Sequence, residues 1–245
     1  MIWREEDGVA WLEARMTDVT VRFSSRRGGV SAGPFASLNL GVLTDDDRAA
    51  VIENRARLAR AAGFDPARVA MGRQVHGAGL EWVGQGLPAP HYSAPGEPPP
   101  EADGQLTERP GIGLLVLVAD CLPIALRGPG GLAMLHCGWR GLAAGIIDRA
   151  ADRVGAIEAV IGPGIGPCCF EVGPEVAAAF EDLGPGIRDG RMLDLPEAAE
   201  RLLRRAGAGR VERARLCTCC EERDFFSHRR DGGTTGRQAG IAWID

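Results

Sequence analysis

Apolar residues in this chain gather in short runs broken by glycine and proline, the pattern of buried strands rather than of long amphipathic helices. Three such runs lie close together, at 113–118, 124–127 and 132–136, each rich in Leu, Val, Ile or Ala. VTVRF at 19–23 alternates and predicts a further strand, and RVAMGRQVHGAGLEWV reads as two short strands flanking a turn at His76 and Gly77. AIEAVIG adds another strand. Helical spacing appears at 45–62, where TDDD gives an acidic start, Val51, Leu58, Ala59 and Ala62 form a stripe, and Gly63 provides the stop. Further helices are expected at 141–154, from Pro174, and at 196–206, the last two with proline in the favoured first turn. Between Gly84 and Gly104 the chain holds six prolines and little that packs, so it reads as an extended surface loop. Strands and helices alternate without a fixed repeat. The expected fold is α+β, a mixed α/β sandwich of layered β-sheets with flanking helices, in one domain over 1–245.

Composition narrows the possible partners. The chain has 245 residues, 45% of them hydrophobic, and can bury a substantial core. A formal charge of −5 argues against a general nucleic-acid or anionic-membrane binder, which would need a broad basic surface. MIWREEDGVAWLEARMTD is charged from its fourth residue and lacks the apolar stretch of an export signal. Seven cysteines, an odd number, then fit reduced thiols in a cytoplasmic protein better than a disulfide framework.

The candidate chemistry sits at the ends of the apolar runs. Cys121 closes LLVLVADC, His136 lies fifteen residues on in GLAMLHCGWRG, and His76 stands upstream in RQVHG. Two imidazoles and one thiolate can hold a tetrahedral divalent ion with one position open, and zinc so bound brings the pKa of water towards neutrality. Asp120, beside Cys121, is placed to orient a ligand or move a proton. Other readings of the same atoms stay open at this stage. Cys121 can be a nucleophile with His136 as its base, the set can bind copper, or the three can be ordinary buried side chains. Four histidines in all cannot furnish a multicopper cluster. Gly77, Gly138 and Gly141 favour close approach of backbone or ligand, which a plain core strand does not need. In the tail, FFSHRRDGGTTGRQAGIAWI gathers Arg229, Arg230 and Arg237 around Gly232 and Gly233, groups suited to phosphate or ribose. RRGGVSAGPFASLNLG, with Arg26, Arg27 and Asn39, offers a similar polar loop. CTCC at 217–220 and PCCFE at 167–171 have intervals that do not fit C-x-x-C pairing and read as structural or incidental thiols.

Taken in order, GGVSAGPFASLNLG, RQVHG, ADCLP, HCGWRG, IGPGIGPCCFEVG and FFSHRRDGGTTGRQ resemble the bacterial YfiH family, also called the polyphenol oxidase or laccase-domain family and related to human FAMIN. The resemblance implies a zinc-dependent enzyme acting as phosphorylase on adenosine, inosine, guanosine and methylthioadenosine, and as adenosine deaminase. It implies His76, Cys121 and His136 as metal ligands and a fold similar to the cytotoxic necrotizing factor catalytic domain. That domain carries a Cys/His pair, so a Cys/His hydrolase, for example in peptidoglycan editing, is one alternative; a copper-dependent polyphenol oxidase is another. Expected site residues are Cys121, His136 and Asp120 for catalysis, with Asn39, Arg73, Gln74, Arg140 and Arg230 for purine nucleoside or phosphate. The expected cofactor is Zn2+, or Cu2+, and the expected state a monomer or weak homo-oligomer. Three positions depart from the family pattern: Cys137 where Ala is usual, His228 where Tyr is common, and Val118 where Thr usually precedes Ala-Asp-Cys.

Overall fold

A computed structural model describes residues 1–84, 89–96 and 98–245. Its strands, numbered in chain order, are β1 (Ile2–Glu6), β2 (Val9–Met16), β3 (Val19–Ser24), β4 (Val69–Ala70), β5 (Leu80–Trp82), β6 (Gly104–Thr107), β7 (Gly113–Val118), β8 (Leu122–Gly128), β9 (Gly131–Cys137), β10 (Glu158–Ile161), β11 (Arg188–Asp189), β12 (Met192–Leu193), β13 (Arg210–Arg213) and β14 (Gln238–Ile244). Among the described residues one six-stranded sheet runs β1-β2-β3-β14-β7-β4, a second runs β13-β10-β8-β9-β6-β5, and β11 pairs with β12. The helices are α1 (Arg48–Ala61), α2 (Trp139–Ala143), α3 (Ile146–Val154), α4 (Pro174–Ala178) and α5 (Leu195–Arg205).

The continuous apolar runs are explained by burial on both faces. On β7, Leu114, Val116 and Val118 face the second sheet while Leu115 and Leu117 face α1. On β8 and β9, Ala125, Leu132 and Met134 meet the first sheet, and Ile124, Leu126, Ala133 and Leu135 meet α3 and α5. The result is the expected sandwich, two sheets face to face with helices outside. Ile146, Ile147, Ala150 and Val154 dock α3, each large side chain worth roughly 1.5–3 kcal/mol of burial.

Several details differ from the sequence expectations. The helix expected at 141–154 is two helices, because Gly145 takes a left-handed conformation (φ 79°) between α2 and α3. The first helix starts at Arg48, capped by Asp47, whose carboxylate accepts from the Ala49 amide at 2.9 Å. Asp46 instead accepts from Ser31 and Asn39. Within the proline-rich stretch, positions 85–88 and 97 lie outside the described residues. The described part packs more than expected: Tyr92 is buried, and its carbonyl and that of His91 accept from the buried Arg55 guanidinium. The tail supplies more than a polar loop, since its last seven-residue strand, β14, lies between β3 and β7 at the centre of a sheet. No helix among the described residues is long and apolar enough to cross a membrane.

Candidate metal centre

The hairpin of β8 and β9 brings Cys121 and His136 together. Its register pairs Leu122 with Cys137 and Pro123 with His136, so a fifteen-residue separation in sequence becomes adjacency at one end of the ladder. His76 enters from the turn between β4 and β5 in a left-handed conformation (φ 60°), which a β-carbon-bearing residue holds at a cost. One ligand atom of each residue lies within 4.8 Å of the others. The two imidazoles meet edge to face at a centroid distance of 4.8 Å.

Asp103, which sequence reasoning missed, organises this centre. Its buried carboxylate contacts His136 Nδ1 at 2.8 Å and accepts from the amides of His76 (2.9 Å), Gly77 (2.7 Å) and Val75 (3.2 Å). One acceptor thus fixes both the His136 ring and the turn that carries His76. With Nδ1 engaged, His136 is left with Nε2 as its ligand atom, the arrangement common for metal-bound histidines. Burial pushes the Asp103 carboxyl up, but His136 and the Gly77 and Val75 amides outweigh it and hold the group below its ordinary value. Asp103 precedes β6 inside the proline-rich segment, where no periodicity marks it.

The charges around the thiol are equally directed. Burial opposes ionisation of Cys121, yet His136 and His76 overcome it and bring the thiol down to about 6. Burial also opposes a charge on His136, but Cys121 and Asp103 raise it to about 9. Without a metal the pair is therefore thiolate and imidazolium. Gly138 is required by space: a β-carbon there would lie 2.9 Å from Cys121 Sγ and 3.3 Å from His76 Cδ2. At Gly141 it would meet the Gly77 carbonyl at 2.8 Å. Two imidazole nitrogens and a thiolate sulfur, with their carboxylate support and this close approach, fit a tetrahedral ion site with an open side.

That open side faces a cavity of about 710 Å³. Arg48, Arg55, Arg73, Arg140, Arg229 and Arg237 line it, against a single lining carboxylate, Asp120, among the described residues. Arg140 stacks on Trp139 at 4.4 Å, and among the described residues neither Arg140 nor Arg237 has an acidic partner within ion-pair distance. Burial lowers the Arg237 guanidinium from its ordinary value, opposed by the charges of Cys121 and Asp120.

The other expected residues divide between lining and support. Arg73 lines the cavity, paired with Glu101, and Gln74 lines it while exchanging both amide bonds with the Leu117 backbone. Asn39 is fully buried behind the wall, where its side chain accepts from the Arg237 amide at 2.8 Å and donates to Thr44 and Asp46. Arg230 is absent from the lining; its guanidinium pairs with Asp231 and donates to the Thr218, Cys219 and Phe225 carbonyls. Its neighbours Arg229 and Arg237 take the cavity positions instead, and nothing in the tail sequence distinguishes the three. Asp120 is 8% exposed, with its oxygens engaged by Thr218 Oγ1 (2.7 Å) and the Arg229 amide (2.7 Å). Those bonds tie it to the tail loop, while it also lines the cavity beside Cys121.

The family described as multi-copper polyphenol oxidoreductase laccase matches residues 20–245. The chain belongs to that family. It is 41% identical over 244 residues to a Deinococcus radiodurans protein named purine nucleoside phosphorylase, an alignment covering 94% of this chain and 91% of the relative. A Geobacillus stearothermophilus protein named purine nucleoside phosphorylase YlmD is 38% identical, with 87% and 86% covered. Among solved structures, the hypothetical protein YfiH of Bacillus licheniformis superposes with a TM-score of 0.88 at 32% identity over 99% of both chains. The laccase-domain resemblance and the layered α+β fold are therefore both met.

Proposed function

We propose that this laccase-domain protein is a zinc-dependent purine nucleoside phosphorylase of the cytoplasm, a single catalytic unit acting on adenosine, inosine, guanosine and methylthioadenosine, with a secondary adenosine deaminase activity. One observation carries the reading: a donor set of two histidines and a cysteine opens into a cavity whose wall, among the described residues, holds six arginines and one carboxylate. Such a wall suits a phosphate dianion beside a nucleoside, and the names of the relatives point to the same pair of substrates.

In this mechanism His76, Cys121 and His136 hold the ion, and Asp103 fixes the tautomer of His136. When bound, the ion supplies a Lewis acid and lowers the pKa of water, chemistry that serves both reactions. Arg140 and Arg237 bind phosphate and orient one of its oxygens towards C1′ of the ribose as the bond to the base breaks. The apolar wall, including Met71, Leu117 and Phe170, excludes water from the base. Gln74 and Asn39 keep that wall in place through their backbone bonds. The test is product analysis: adenosine should release free adenine only when phosphate is present, with the ribose recovered as its 1-phosphate. Phosphate-independent release of adenine would reject phosphorolysis.

A second reading has its own observation. Cys121, His136 and Asp103 also form a thiolate–imidazolium–carboxylate relay, the arrangement of Cys/His hydrolases. It requires that chelation leave activity intact, whereas the phosphorylase reading requires that chelation abolish it. The copper polyphenol oxidase reading has less support, since only His76 and His136 of the four histidines join the ligand set, too few for a multicopper cluster.

A further inference from the structure

A second group of metal-ligating side chains lies outside the cavity. The loop after β10 carries Cys168 and Cys169, and the loop after β13 carries Cys217 and Cys220. Spacing along the chain sets these thiols aside as incidental, but Cys217 and Cys220 do stand at a C-x-x-C interval, and the fold supplies the other half of the set. One sulfur from each of the four lies within 4.8 Å of the others. Cys220 Sγ is 3.4 Å from both Cys168 Sγ and Cys169 Sγ. Four sulfurs about 2.3 Å from one tetrahedral ion are separated by about 3.8 Å, so these distances bracket the spacing a single ion would impose.

The backbone is shaped for the same arrangement. Thr218 N donates to the Gly164 carbonyl at 3.0 Å, laying the two loops side by side. The amides of Cys220 and Glu221 both donate to the Cys217 carbonyl, closing a turn that brings the first and last cysteines of CTCC to one side. Gly166 N donates to Cys217 Sγ at 3.2 Å, the kind of amide support that a metal-bound thiolate receives. Arg229 donates to the Cys169 carbonyl and Arg230 to the Thr218 and Cys219 carbonyls, so two cations stand behind a cluster that becomes anionic when ionised.

We propose that Cys168, Cys169, Cys217 and Cys220 form a structural four-thiolate site for a tetrahedral thiophilic ion, zinc by its chemistry, separate from the centre at Cys121. All four positions are filled by protein, so the site is closed and has no place for a substrate. Its effect is to brace the cavity. One loop carries the lining residues Ile165 and Phe170, and Thr218 on the other holds Asp120, next to Cys121.

The test counts metal in protein purified without added metal. Wild type should hold two zinc equivalents per chain. Cys168→Ser with Cys220→Ser should lose one and keep the other, while His76→Ala should lose the complementary one. Should the double variant misfold, thiol titration of native wild type decides: five of the seven cysteines, these four and the zinc-bound Cys121, should stay unreactive until a chelator is added, against Cys121 alone if the second site is absent, with Cys137 buried in either case. Cobalt-reconstituted wild type should show strong sulfur-to-metal charge-transfer absorption. Unchanged metal content in the double variant, reaction of these four thiols without chelator, or an intact mass showing a disulfide among the four would overturn the proposal. None of these readouts uses catalytic activity, so the result stands apart from the phosphorylase reading.

Discussion

Replacing Asp103 by Asn separates support of the metal centre from its ligands. The carboxylate serves four donors, the His136 ring and the amides of Val75, His76 and Gly77, through two oxygens. Asparagine keeps one oxygen. Whichever way the amide turns, its NH2 faces either the Val75 and Gly77 amides or His136 and the His76 amide, and the full charge on the acceptor is lost. A hydrogen bond to a charged partner contributes about 1.5–3 kcal/mol. Loss of a carboxylate behind a metal-bound histidine lowers affinity about 10–100-fold, roughly 1.4–2.7 kcal/mol, so the two routes to the magnitude agree. Competition against a chromophoric chelator should show that loss for Asp103→Asn, and saturating zinc should restore part of the phosphorolysis rate. Asp103→Ala, which also strips the turn of its acceptor, should bind more weakly still. Zinc affinity for Asp103→Asn within about twofold of wild type, with the rate intact, would refute the role assigned to this carboxylate.

Other expectations follow from the same geometry. Gly138→Ala should fold normally, because Gly138 has φ −78° and ψ 169°, yet bind zinc weakly, because the new methyl crowds Cys121 Sγ; a chelator titration matching wild type would contradict this. Arg140→Ala should raise KM for phosphate by about tenfold or more, the loss of one charge-assisted interaction, with the thermal midpoint unchanged; an unaltered KM would remove Arg140 from the phosphate site. In metal-free protein, alkylation of Cys121 should rise with a midpoint near pH 6, and zinc should protect it; a midpoint in the ordinary thiol range would contradict the thiolate–imidazolium pair. The lowered Cys121 contributes stability that is lost as pH falls through about 6, and the raised His136 contributes stability that is lost as pH rises through about 9. Between about pH 6.5 and 9 the two dependences offset, because the free Cys and His of the unfolded chain and the folded pair each hold one proton, so denaturant midpoints of the metal-free protein should change little across that range; a steep slope there would contradict the pair.

The parts legible in sequence are those where local pattern and tertiary position coincide. The runs that became β7, β8 and β9 are buried on both faces, so their composition alone marks them, and Cys121 and His136 stand at their ends. The glycines at 77, 138 and 141 pointed to close approach; a β-carbon at Gly138 or Gly141 would meet a neighbour at 2.9 or 2.8 Å, whereas at Gly77 the nearest atom is at an ordinary contact distance of 3.5 Å. Legibility fails where tertiary contacts decide. β6 is four residues long beside a proline-rich stretch, and the fold alone reveals Asp103 at its start. Arg230 and Arg229 differ by one position, yet one faces carbonyls and Asp231 while the other reaches the cavity. The cysteines of PCCFE and CTCC are forty-eight residues apart at their nearest, and only the pairing of their loops makes them one group.

The most direct measurement of the central claim is X-ray absorption at the zinc edge, made on the Cys168→Ser, Cys220→Ser protein so that the remaining signal comes from the cavity centre alone. The account requires one sulfur, two imidazole nitrogens and at least one further light atom around the ion. A spectrum without sulfur, or one in which replacing Cys121 or either histidine changes nothing, would contradict it.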